Sequence, residues 1–422
     1  MAAGTVIIGT GQAGFQTAAS LRAEGYQEPI TLIGEEPEIP YQRPPLSKGF
    51  ALGSQDLESI ELRPRKFYRD HDIHLLVSQR VTEVERTARF VALASGSRVP
   101  FDKLVLAVGA RNRLLPVKGA ETGGVLYLRS FAEALVVKER LKSAQEVVVI
   151  GGGFVGLELA AVACSLGKSV TILEALPRLM SRAVAPIISE FYRELHAGKG
   201  VRVFCGAYVS EIAGSGGAVR EVALSDGRRY PADLVLVGIG VVPNVELARD
   251  AGLRISNGIA VDENLRTDDD NIFAIGDCAE HPCVFAGARV RLESVQNAAD
   301  QAQCVAAAIA GRPDRYRALP WFWTDQFDIK LQMAGISQGH DRIATRGEPG
   351  SRKLSVFYFR EDRLVAIDSI NRPLDHMIGR KLLATGVPLT PAQAADESID
   401  LKKLERAFAE HRNPPAGHQN PG

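Results

Sequence analysis

Short apolar runs alternate with longer mixed stretches at the start of the chain. The run TVIIG, residues 5–9, has the length and continuous hydrophobicity of a buried strand. Residues 16–25, QTAASLRAEG, are typical of a helix that ends at Gly25, and residues 30–36, ITLIGEE, predict a second strand. The pattern therefore predicts strand, glycine turn, helix and strand within about 30 residues.

The same order of elements occurs again at residues 146–174, EVVVIGGGFVGLELAAVACSLGKSVTILE. Here the pattern predicts a strand, a helix from about Phe154 to Leu166, and a strand that ends at Glu174. Residues 101–113 and 230–244 each predict a buried strand that ends in a glycine turn. Each segment is typical of a crossing, where the chain leaves one of these repeated units for the next part of the protein.

The last hundred residues follow a different pattern. KLSVFYFR (353–360) and RLVAIDSI (363–370) predict an antiparallel sheet with helices behind it. We therefore predict an α/β protein with two Rossmann-like domains and an α+β C-terminal domain. The predicted boundaries are a first, discontinuous domain at 1–112 and 245–319, a second domain at 113–244, a C-terminal domain at 320–410, and a disordered tail at 411–422.

The first glycine turn, GTGQAG at residues 9–14, fits a pyrophosphate site. Gly9 would allow the tight turn, Gly11 would let the backbone approach the phosphates, and Gly14 would let helix and strand pack closely. The bare amides of the helix N-terminus would then face the anion. Glu35 lies 21 residues beyond Gly14, where a carboxylate can accept hydrogen bonds from ribose hydroxyls. The glycines alone fit a purely structural turn equally well.

The second turn repeats this chemistry with Gly151, Gly153 and Gly156, and its acidic residue is Glu174. Two dinucleotide sites are therefore predicted. A carboxylate favours ribose hydroxyls and repels a 2'-phosphate, so Glu174 favours NADH over NADPH, although Arg178 and Arg182 lie close enough in sequence to weaken this argument.

Asp277 follows the predicted strand in NIFAIGDCAE. It could accept a hydrogen bond from a polyol chain, and it could also cap a helix that begins at CAEH.

Composition excludes several function classes. The chain has 422 residues, enough for two or three domains, and its 50 basic and 50 acidic residues leave no net charge to attract nucleic acid or a membrane. No signal peptide, membrane span or metal site is predicted. Five scattered cysteines indicate reduced thiols in a cytoplasmic enzyme, and Cys278 and Cys283 are expected to be structural.

The motifs occur in an order that resembles a known superfamily. GTGQAG with Glu35, LVLAVGAR, GGGFVGLELA with Glu174, GIGVVPN and AIGDCAE are similar to the two-dinucleotide flavoprotein disulfide reductases with the glutathione-reductase-like fold. Three further segments, RPPLSK (43–48), ESVQNAADQA (293–302) and PWFWTDQFDIKLQMAG (320–335), resemble the NADH-dependent ferredoxin reductases of cytochrome P450 and ring-hydroxylating dioxygenase systems.

The resemblance implies a function. Disulfide reductases of this fold carry cysteines on the helix beside the flavin, but no cysteine precedes Cys164 here, so the flavin is expected to be the last carrier. NADH would deliver a hydride to FAD, and electrons would leave singly to a [2Fe–2S] ferredoxin. The alternatives are a rubredoxin reductase and an NADH-sensing flavoprotein similar to apoptosis-inducing factor.

The resemblance implies that the first domain, 1–112 and 245–319, binds FAD and that the second, 113–244, binds NAD. It also implies roles for individual residues. Lys48 would lie near the flavin with Glu158 as its partner, and these two residues are the predicted catalytic pair. The other implied FAD contacts are Ala13, Arg43, Val81, Ala107, Arg129, Asp277, Val295 and Trp321. The other implied NAD contacts are Phe154, Val155 and Gly240.

A monomer or weak homodimer is expected, with a local basic face for an acidic ferredoxin. The candidates for this face are Arg312, Arg315, Arg317, Lys402, Lys403 and Arg406, although charge runs are usually only solvated.

Overall fold

A computed structural model describes residues 3–348 and 350–412. The chain divides into two compact units. The first runs to Met180 and continues from Tyr192 to Ala318, and the second comprises Ser181–Phe191 and the chain from Leu319 onward. The short segment Ser181–Phe191 was not separated from its neighbours by the sequence pattern.

The strands of the first unit are short, and most of those in its two large sheets are apolar. They are β1 (Thr5–Ile8), β2 (Ile30–Ile33), β3 (Ile73–Leu76), β4 (Val81–Glu85), β5 (Phe90–Leu93), β6 (Arg98–Pro100), β7 (Lys103–Leu106), β8 (Ala110–Asn112), β9 (Val125–Tyr127), β10 (Glu146–Ile150), β11 (Ser169–Glu174), β12 (Arg202–Cys205), β13 (Val209–Ser215), β14 (Ala218–Leu224), β15 (Arg229–Pro231), β16 (Leu234–Val237), β17 (Val241–Pro243), β18 (Ile259–Ala260), β19 (Ile272–Ala274), β20 (Ala279–Cys283) and β21 (Ala288–Val290). The second unit contains β22 (Trp321–Gln326), β23 (Ile329–Gly335), β24 (Arg342–Arg346), β25 (Leu354–Arg360) and β26 (Arg363–Ile370).

The helices are, in chain order, α1 (Gln12–Ala23), α2 (Gly49–Leu52), α3 (Leu57–Ile60), α4 (Arg65–Asp70), α5 (Phe131–Ser143), α6 (Phe154–Ser165), α7 (Pro186–Gly198), α8 (Glu246–Asp250), α9 (Val295–Ile309), α10 (Pro373–Thr385), α11 (Pro391–Ala395) and α12 (Leu401–Arg412). Two 3₁₀ turns, Pro44–Ser47 and Gly276–Cys278, lie between them. Helix α12 includes residues 411 and 412, which the sequence pattern assigned to the tail, and residues 413–422 lie outside the described part of the chain.

Two five-stranded parallel sheets form the frame of the first unit. Their strand orders are β19-β7-β1-β2-β3 and β12-β11-β10-β16-β9. The central strands are continuous apolar runs because helices and loops cover both faces of such sheets. The predicted α/β class is confirmed.

Strand register brings the ends of the parallel strands together. Ile8 pairs with both Ile33 and Leu106, so the residues that follow β1, β2 and β7 share one edge of the first sheet. Ile150 pairs with Leu173 and Val237 in the second sheet, with the same consequence. Ligands of open α/β sheets bind at this carboxyl edge.

The two segments that leave the parallel sheets pair with each other. Arg111 of β8 lies opposite Val242 of β17 in an antiparallel ribbon. The Asn244 side chain donates a hydrogen bond to the carbonyl oxygen of Val108 at 2.8 Å, and the Arg111 guanidinium lies 2.8 Å from the Glu246 carboxylate. The sequence predicted the two crossings but not their pairing.

The second unit is built on the antiparallel sheet β22-β23-β26-β25-β24. The predicted pairing of 353–360 with 363–370 is present, since Phe357 lies opposite Ile367. Both side chains are fully buried and form one cluster with Ile378 and Leu382 of α10. Within the described residues, no helix is long and apolar enough to cross a membrane.

Candidate active site

The first glycine turn connects β1 to α1. Gly9 has φ +112°, and a Cβ at Gly9 or Gly14 would collide with the backbone, at the carbonyl oxygens of Ala107 and Gly9 respectively. Gly11 is the N-cap of α1 and makes no side-chain cap. No heavy atom of the described residues outside its own neighbours lies within 4 Å of a Cβ built there. The bare amide end of α1 therefore faces open space, which fits an anionic group.

The second glycine turn has the same geometry between β10 and α6. Gly151 has φ +105°, and a Cβ there would collide with the carbonyl oxygen of Gly238. Gly153 caps α6 without a side chain, and the nearest atom to a Cβ there is 3.9 Å away. Phe154 and Val155 begin the helix, and Gly240 has φ +97° beyond the neighbouring strand β16. Both turns thus meet the steric requirements for a pyrophosphate.

The two acidic residues at the strand ends differ in their surroundings. Glu174 is half-buried, and its carboxylate accepts hydrogen bonds from the amides of Gly152 at 2.5 Å and Leu176 at 2.7 Å. The Glu35 side chain is 69% exposed and lies 3.6 Å from the Arg80 guanidinium. Glu174 is therefore fixed by the backbone, whereas Glu35 is held only at the surface.

Asp277 lies at the carboxyl edge of the first sheet, in the 3₁₀ turn after β19. Its carboxylate lies 2.8 Å from the Arg129 guanidinium, and its carbonyl oxygen accepts a hydrogen bond from Arg291 at 3.0 Å. The alternative of a helix cap is wrong, because residues 279–283 form strand β20 and not a helix.

Lys48 and Glu158 form the ion pair that the sequence predicted. Lys48 Nζ lies 2.8 Å from Glu158 Oε1, and the two side chains are 22% and 5% exposed. Ser47 Oγ donates a hydrogen bond to Glu158 Oε2 at 2.5 Å. Glu158 lies on α6, so this contact joins the loop that follows the first nucleotide unit to the helix that begins at the second turn. The sequence did not predict Ser47, although it directly precedes Lys48.

Arg43 belongs to a second polar cluster. Its guanidinium contacts the Glu36 carboxylate and the Arg129 carbonyl oxygen, both at 2.5 Å. The Tyr41 hydroxyl donates to Glu36 at 2.6 Å and accepts from the Phe131 amide at 2.9 Å. Burial opposes the charge on Glu36, but Arg43 and Tyr41 outweigh it, so the pKa of Glu36 is lowered. Glu36 and Tyr41 were not predicted. The contact between Tyr41 and the Phe131 amide spans 90 residues of sequence, which no local pattern shows.

Three further predicted FAD contacts lie in the first unit. Ala107 is buried directly after β7, where its carbonyl oxygen packs against Gly9. Val295 begins α9, whose first turn is capped by Ser294. Val81 begins β4 and is buried, which ordinary core packing also explains.

Trp321 lies in the second unit, on β22. The Arg380 guanidinium lies 4.7 Å from the centre of its ring system, and the Trp323 and His376 rings lie 5.6 and 5.8 Å away. The indole Nε1 is buried and has no hydrogen-bond partner among the described residues. The tryptophan is therefore fixed by aromatic and cationic neighbours of its own unit.

Cysteine and metal chemistry find no support in the described residues. Among the described residues the five cysteines form no disulfide, and burial raises the pKa of the Cys278 thiol to about 11. No group of three or more potential metal ligands occurs in the described ranges. Cys278 donates weak hydrogen bonds to the carbonyl oxygens of Leu106 and Ile275, as a packed structural thiol does.

Comparison with known proteins covers nearly the whole chain. Residues 4–302 match the family Pyridine nucleotide-disulphide oxidoreductase, and residues 321–405 match the family Reductase C-terminal. The chain is 48% identical over 408 residues to rhodocoxin reductase from Rhodococcus erythropolis, with 97% of this chain and 95% of that protein covered.

Solved structures agree with these matches. A ferredoxin reductase for the CYP199A2 system from Rhodopseudomonas palustris has a TM-score of 0.94 and 47% identity, and the match covers 96% of this chain and 100% of that one. Putidaredoxin reductase in covalent complex with putidaredoxin has a TM-score of 0.92 and 40% identity, with 96% and 98% covered. The resemblance and the two-dinucleotide fold drawn from the sequence are confirmed. Proteins of this family use FAD and NAD(P)H. The chain therefore belongs to the pyridine nucleotide-disulphide oxidoreductase family, among the ferredoxin reductases that carry a reductase C-terminal domain.

Proposed function

We propose that this protein is an FAD-dependent oxidoreductase that takes electrons from NADH and passes them singly to a [2Fe–2S] ferredoxin. That ferredoxin would serve a cytochrome P450 or a ring-hydroxylating dioxygenase. The observation that carries the proposal is the Lys48–Glu158 pair, which joins the loop after the first nucleotide unit to the helix that begins at the second glycine turn. The two glycine turns have matched geometry, and the first cysteine of the chain is Cys164. The relatives' own names support a ferredoxin as the acceptor.

The proposed FAD-binding residues of the first unit include the first glycine turn, Ala107 and Asp277, which lie at the carboxyl edge of the first sheet. The full set is Gly9, Gly11, Ala13, Gly14, Glu35, Arg43, Lys48, Val81, Ala107, Arg129, Asp277 and Val295. The proposed NAD-binding residues are Gly151, Gly153, Phe154, Val155, Gly156, Glu174 and Gly240. We propose the domain boundaries given above for these two sites, with Ser181–Phe191 reassigned to the C-terminal unit.

Bound FAD supplies hydride acceptance and one-electron release, which no side chain of the protein can provide. Lys48 places a positive charge beside this site, where it would favour negative charge on the reduced ring. Glu158 holds the Lys48 ammonium in place, and Ser47 holds Glu158. These three residues therefore fix one charge in a partly buried position.

Glu174 supports NADH as the preferred donor. Its carboxylate is fixed by two backbone amides, so it cannot easily turn away from a ribose at the second turn. A 2'-phosphate would meet a fixed negative charge there.

We also propose Trp321 as an FAD contact and as the exit for electrons to the ferredoxin. We expect Trp321→Ala to lower the rate of ferredoxin reduction severalfold while FAD stays bound, with Trp323→Ala as the matched control on the same strand. Unchanged ferredoxin reduction with intact FAD would remove this role.

We further propose that the protein is a monomer or weak homodimer. We also propose that it works in the cytoplasm, in keeping with an odd number of cysteines that form no disulfide among the described residues.

Anaerobic stopped-flow absorbance tests the proposed function. The yellow protein is mixed with NADH and, separately, with NADPH, and then with a [2Fe–2S] ferredoxin. We expect rapid bleaching at about 450 nm with NADH only, a long-wavelength charge-transfer band, and fast reoxidation by the ferredoxin.

Other outcomes would each reject a defined part of the proposal. Reoxidation by rubredoxin but not by ferredoxin would reassign the carrier. A reduced state that persists with both carriers would indicate an NADH sensor. A protein that cannot be reconstituted with FAD would contradict the function as a whole.

A further inference from the structure

A buried polar chain runs through the first unit from Gly276 to His281. The Gly276 amide donates a hydrogen bond to Gln301 Oε1 at 2.7 Å, and Gln301 Nε2 lies 3.1 Å from His281 Nδ1. Gln301 is fully buried and His281 is 1% exposed. Gly276 directly precedes Asp277, whose carboxylate contacts Arg129.

The direction of each hydrogen bond follows from chemistry. An amide N–H can only donate, so the oxygen of Gln301 must face Gly276 and its NH₂ group must face His281. His281 Nδ1 must then accept, which requires a neutral imidazole with its proton on Nε2. The Gly276 amide therefore sets the orientation of Gln301, and Gln301 in turn sets the tautomer of His281.

The surroundings of His281 favour the neutral form. Burial lowers its pKa to about 4, with the Arg289 guanidinium adding to this effect and the Glu280 carboxylate opposing it. Arg289 and Glu280 pair with each other at 3.1 Å. The Tyr316 ring packs edge-on to the imidazole at 5.2 Å, and its hydroxyl donates to Asn297. A neutral ring can accept a hydrogen bond at Nδ1, so it is compatible with the orientation of Gln301 that the Gly276 amide requires, whereas a protonated ring is not.

The backbone at Gly276 needs this support. Its φ of +76° is in the left-handed region, and a Cβ there would lie 3.2 Å from Ala13 of α1 and 3.8 Å from Ala298 of α9. The turn therefore sits between the helix that follows the first glycine turn and the helix that carries Gln301. A loss of the Gly276 hydrogen bond would leave a buried amide without an acceptor, which destabilises this conformation of the turn.

We propose that Gln301 is a positioning residue of the FAD site, and that neutral His281 stabilises its orientation by accepting a hydrogen bond from its NH₂ group. Gln301 holds the Gly276–Asp277 turn in the conformation that presents Asp277 to the cofactor. This inference rests on the proposed assignment of FAD to the first glycine turn. Gln301 does not touch the cofactor in this scheme and acts only through Gly276.

The test measures the dissociation constant of FAD by the quenching of its fluorescence on binding to apoprotein. The variants are Gln301→Leu, which removes both hydrogen bonds, and Gln301→Glu, which keeps an acceptor for Gly276 and offers a second one to a His281 Nδ1–H. The control is Gln303→Leu, which makes the same change at an exposed position of α9.

We expect Gln301→Leu to bind FAD about tenfold more weakly, and Gln301→Glu and Gln303→Leu to remain within about twofold of the unsubstituted protein. If the Gln301 side chain only filled space, Gln301→Glu would not restore FAD binding, because a buried carboxylate packs no better than leucine. Equal affinities of Gln301→Leu and Gln303→Leu would overturn the inference while leaving the proposed function intact. Failure of the unsubstituted protein to bind FAD would instead remove the proposed function and this inference together.

A second measurement does not depend on the leucine variant folding. In the ¹⁵N spectrum of the FAD-bound, unsubstituted protein at pH 7, His281 should be neutral with its proton on Nε2. In Gln301→Glu the proton should move to Nδ1, or both nitrogens should carry one. A proton on Nδ1 in the unsubstituted protein would contradict the proposed orientation of Gln301.

Discussion

At the residue scale, Lys48 and Glu158 depend on each other. Glu158 is 5% exposed, so Lys48→Met leaves a buried carboxylate beside Ser47 without its cation. Breaking one side of a buried pair typically costs about 3–5 kcal/mol. We expect the free energy of unfolding of Lys48→Met, measured in urea, to fall by about 3 kcal/mol. The double variant Lys48→Met with Glu158→Gln should recover at least half of this loss.

The same variants separate stability from catalysis. If Lys48 supplies a charge to the flavin site, both variants should reduce bound FAD at least tenfold more slowly with NADH than the unsubstituted protein. Lys66→Met is the control, since the Lys66 side chain is 74% exposed. Normal flavin reduction in the double variant would show that Lys48 is only a structural partner.

The proposed preference for NADH depends on the charge of Glu174. Glu174→Gln keeps an oxygen for one of the amides of Gly152 and Leu176 but removes the charge. We expect the kcat/KM of Glu174→Gln for NADPH to rise about tenfold and its kcat/KM for NADH to fall. Both values are measured by following the reduction of ferricyanide with each nucleotide. Glu139→Gln, at an exposed position of α5, should change neither value. A ratio of NADH to NADPH activity that stays constant would assign nucleotide choice to other residues.

Individual site residues could be predicted from the sequence where the chemistry is local or the motif is specific. The glycines, Glu174 and the Lys48–Glu158 pair belong to this group. Ser47 and the cluster around Arg43 could not be predicted. Ser47 meets Glu158 across 111 residues of sequence, and Arg43 meets the Arg129 carbonyl across 86. Such contacts arise from tertiary packing, and no local pattern encodes them.

At the scale of elements, periodicity predicted the buried parallel strands and the antiparallel sheet because each has its own repeat. It did not decide the residues after Asp277, where the sequence left a helix start at CAEH open and the structure has strand β20 from Ala279. Pairing with a neighbouring strand determines the structure of these residues, since His281 lies opposite Val290 of β21. Nor did periodicity separate Ser181–Phe191, whose assignment depends on contacts with the C-terminal sheet.

A chain of hydrogen bonds attaches the segment Ser181–Phe191 to the C-terminal sheet. The Ala185 amide donates to the Tyr358 hydroxyl at 2.9 Å, and the hydroxyl donates to the carboxylate of Asp368 on the neighbouring strand. Asp368 is 2% exposed, and burial raises its pKa to about 7. A carboxyl whose pKa is raised on folding binds its proton more tightly in the folded state.

Stability should therefore depend on pH through Asp368. Its contribution is full below the unfolded pKa of about 4 and is lost as the pH rises through about 7. We expect the free energy of unfolding of the second unit to fall by up to about 1.4 kcal/mol per pH unit in this window. Asp368→Asn should flatten this dependence, whereas Asp362→Asn, an exposed position, should not. Parallel pH profiles of the two variants, measured by urea titration, would contradict this assignment.

At the scale of the whole molecule, the 50 basic and 50 acidic residues cancel. Any attraction of an acidic ferredoxin must therefore come from a local basic face. The two candidate clusters differ in their neighbours. Arg312 contacts the Glu24 carboxylate and Arg315 lies 3.6 Å from Glu263, so acids partly cancel their fields. Lys402, Lys403 and Arg406 are exposed on α12. This difference favours α12 as the basic face.

Two double variants test this choice while changing the total charge equally. Lys402→Gln with Lys403→Gln and Arg312→Gln with Arg315→Gln each remove two positive charges. We expect the first pair to raise KM for ferredoxin about fivefold at low salt and the second to change it less than twofold, because only exposed, uncancelled charges steer encounter. The difference should disappear at about 0.5 M salt, where screening acts within a few ångströms, and ferricyanide reduction should not change in either variant. Equal effects of the two pairs would mean that total charge, and not a face on α12, guides the ferredoxin.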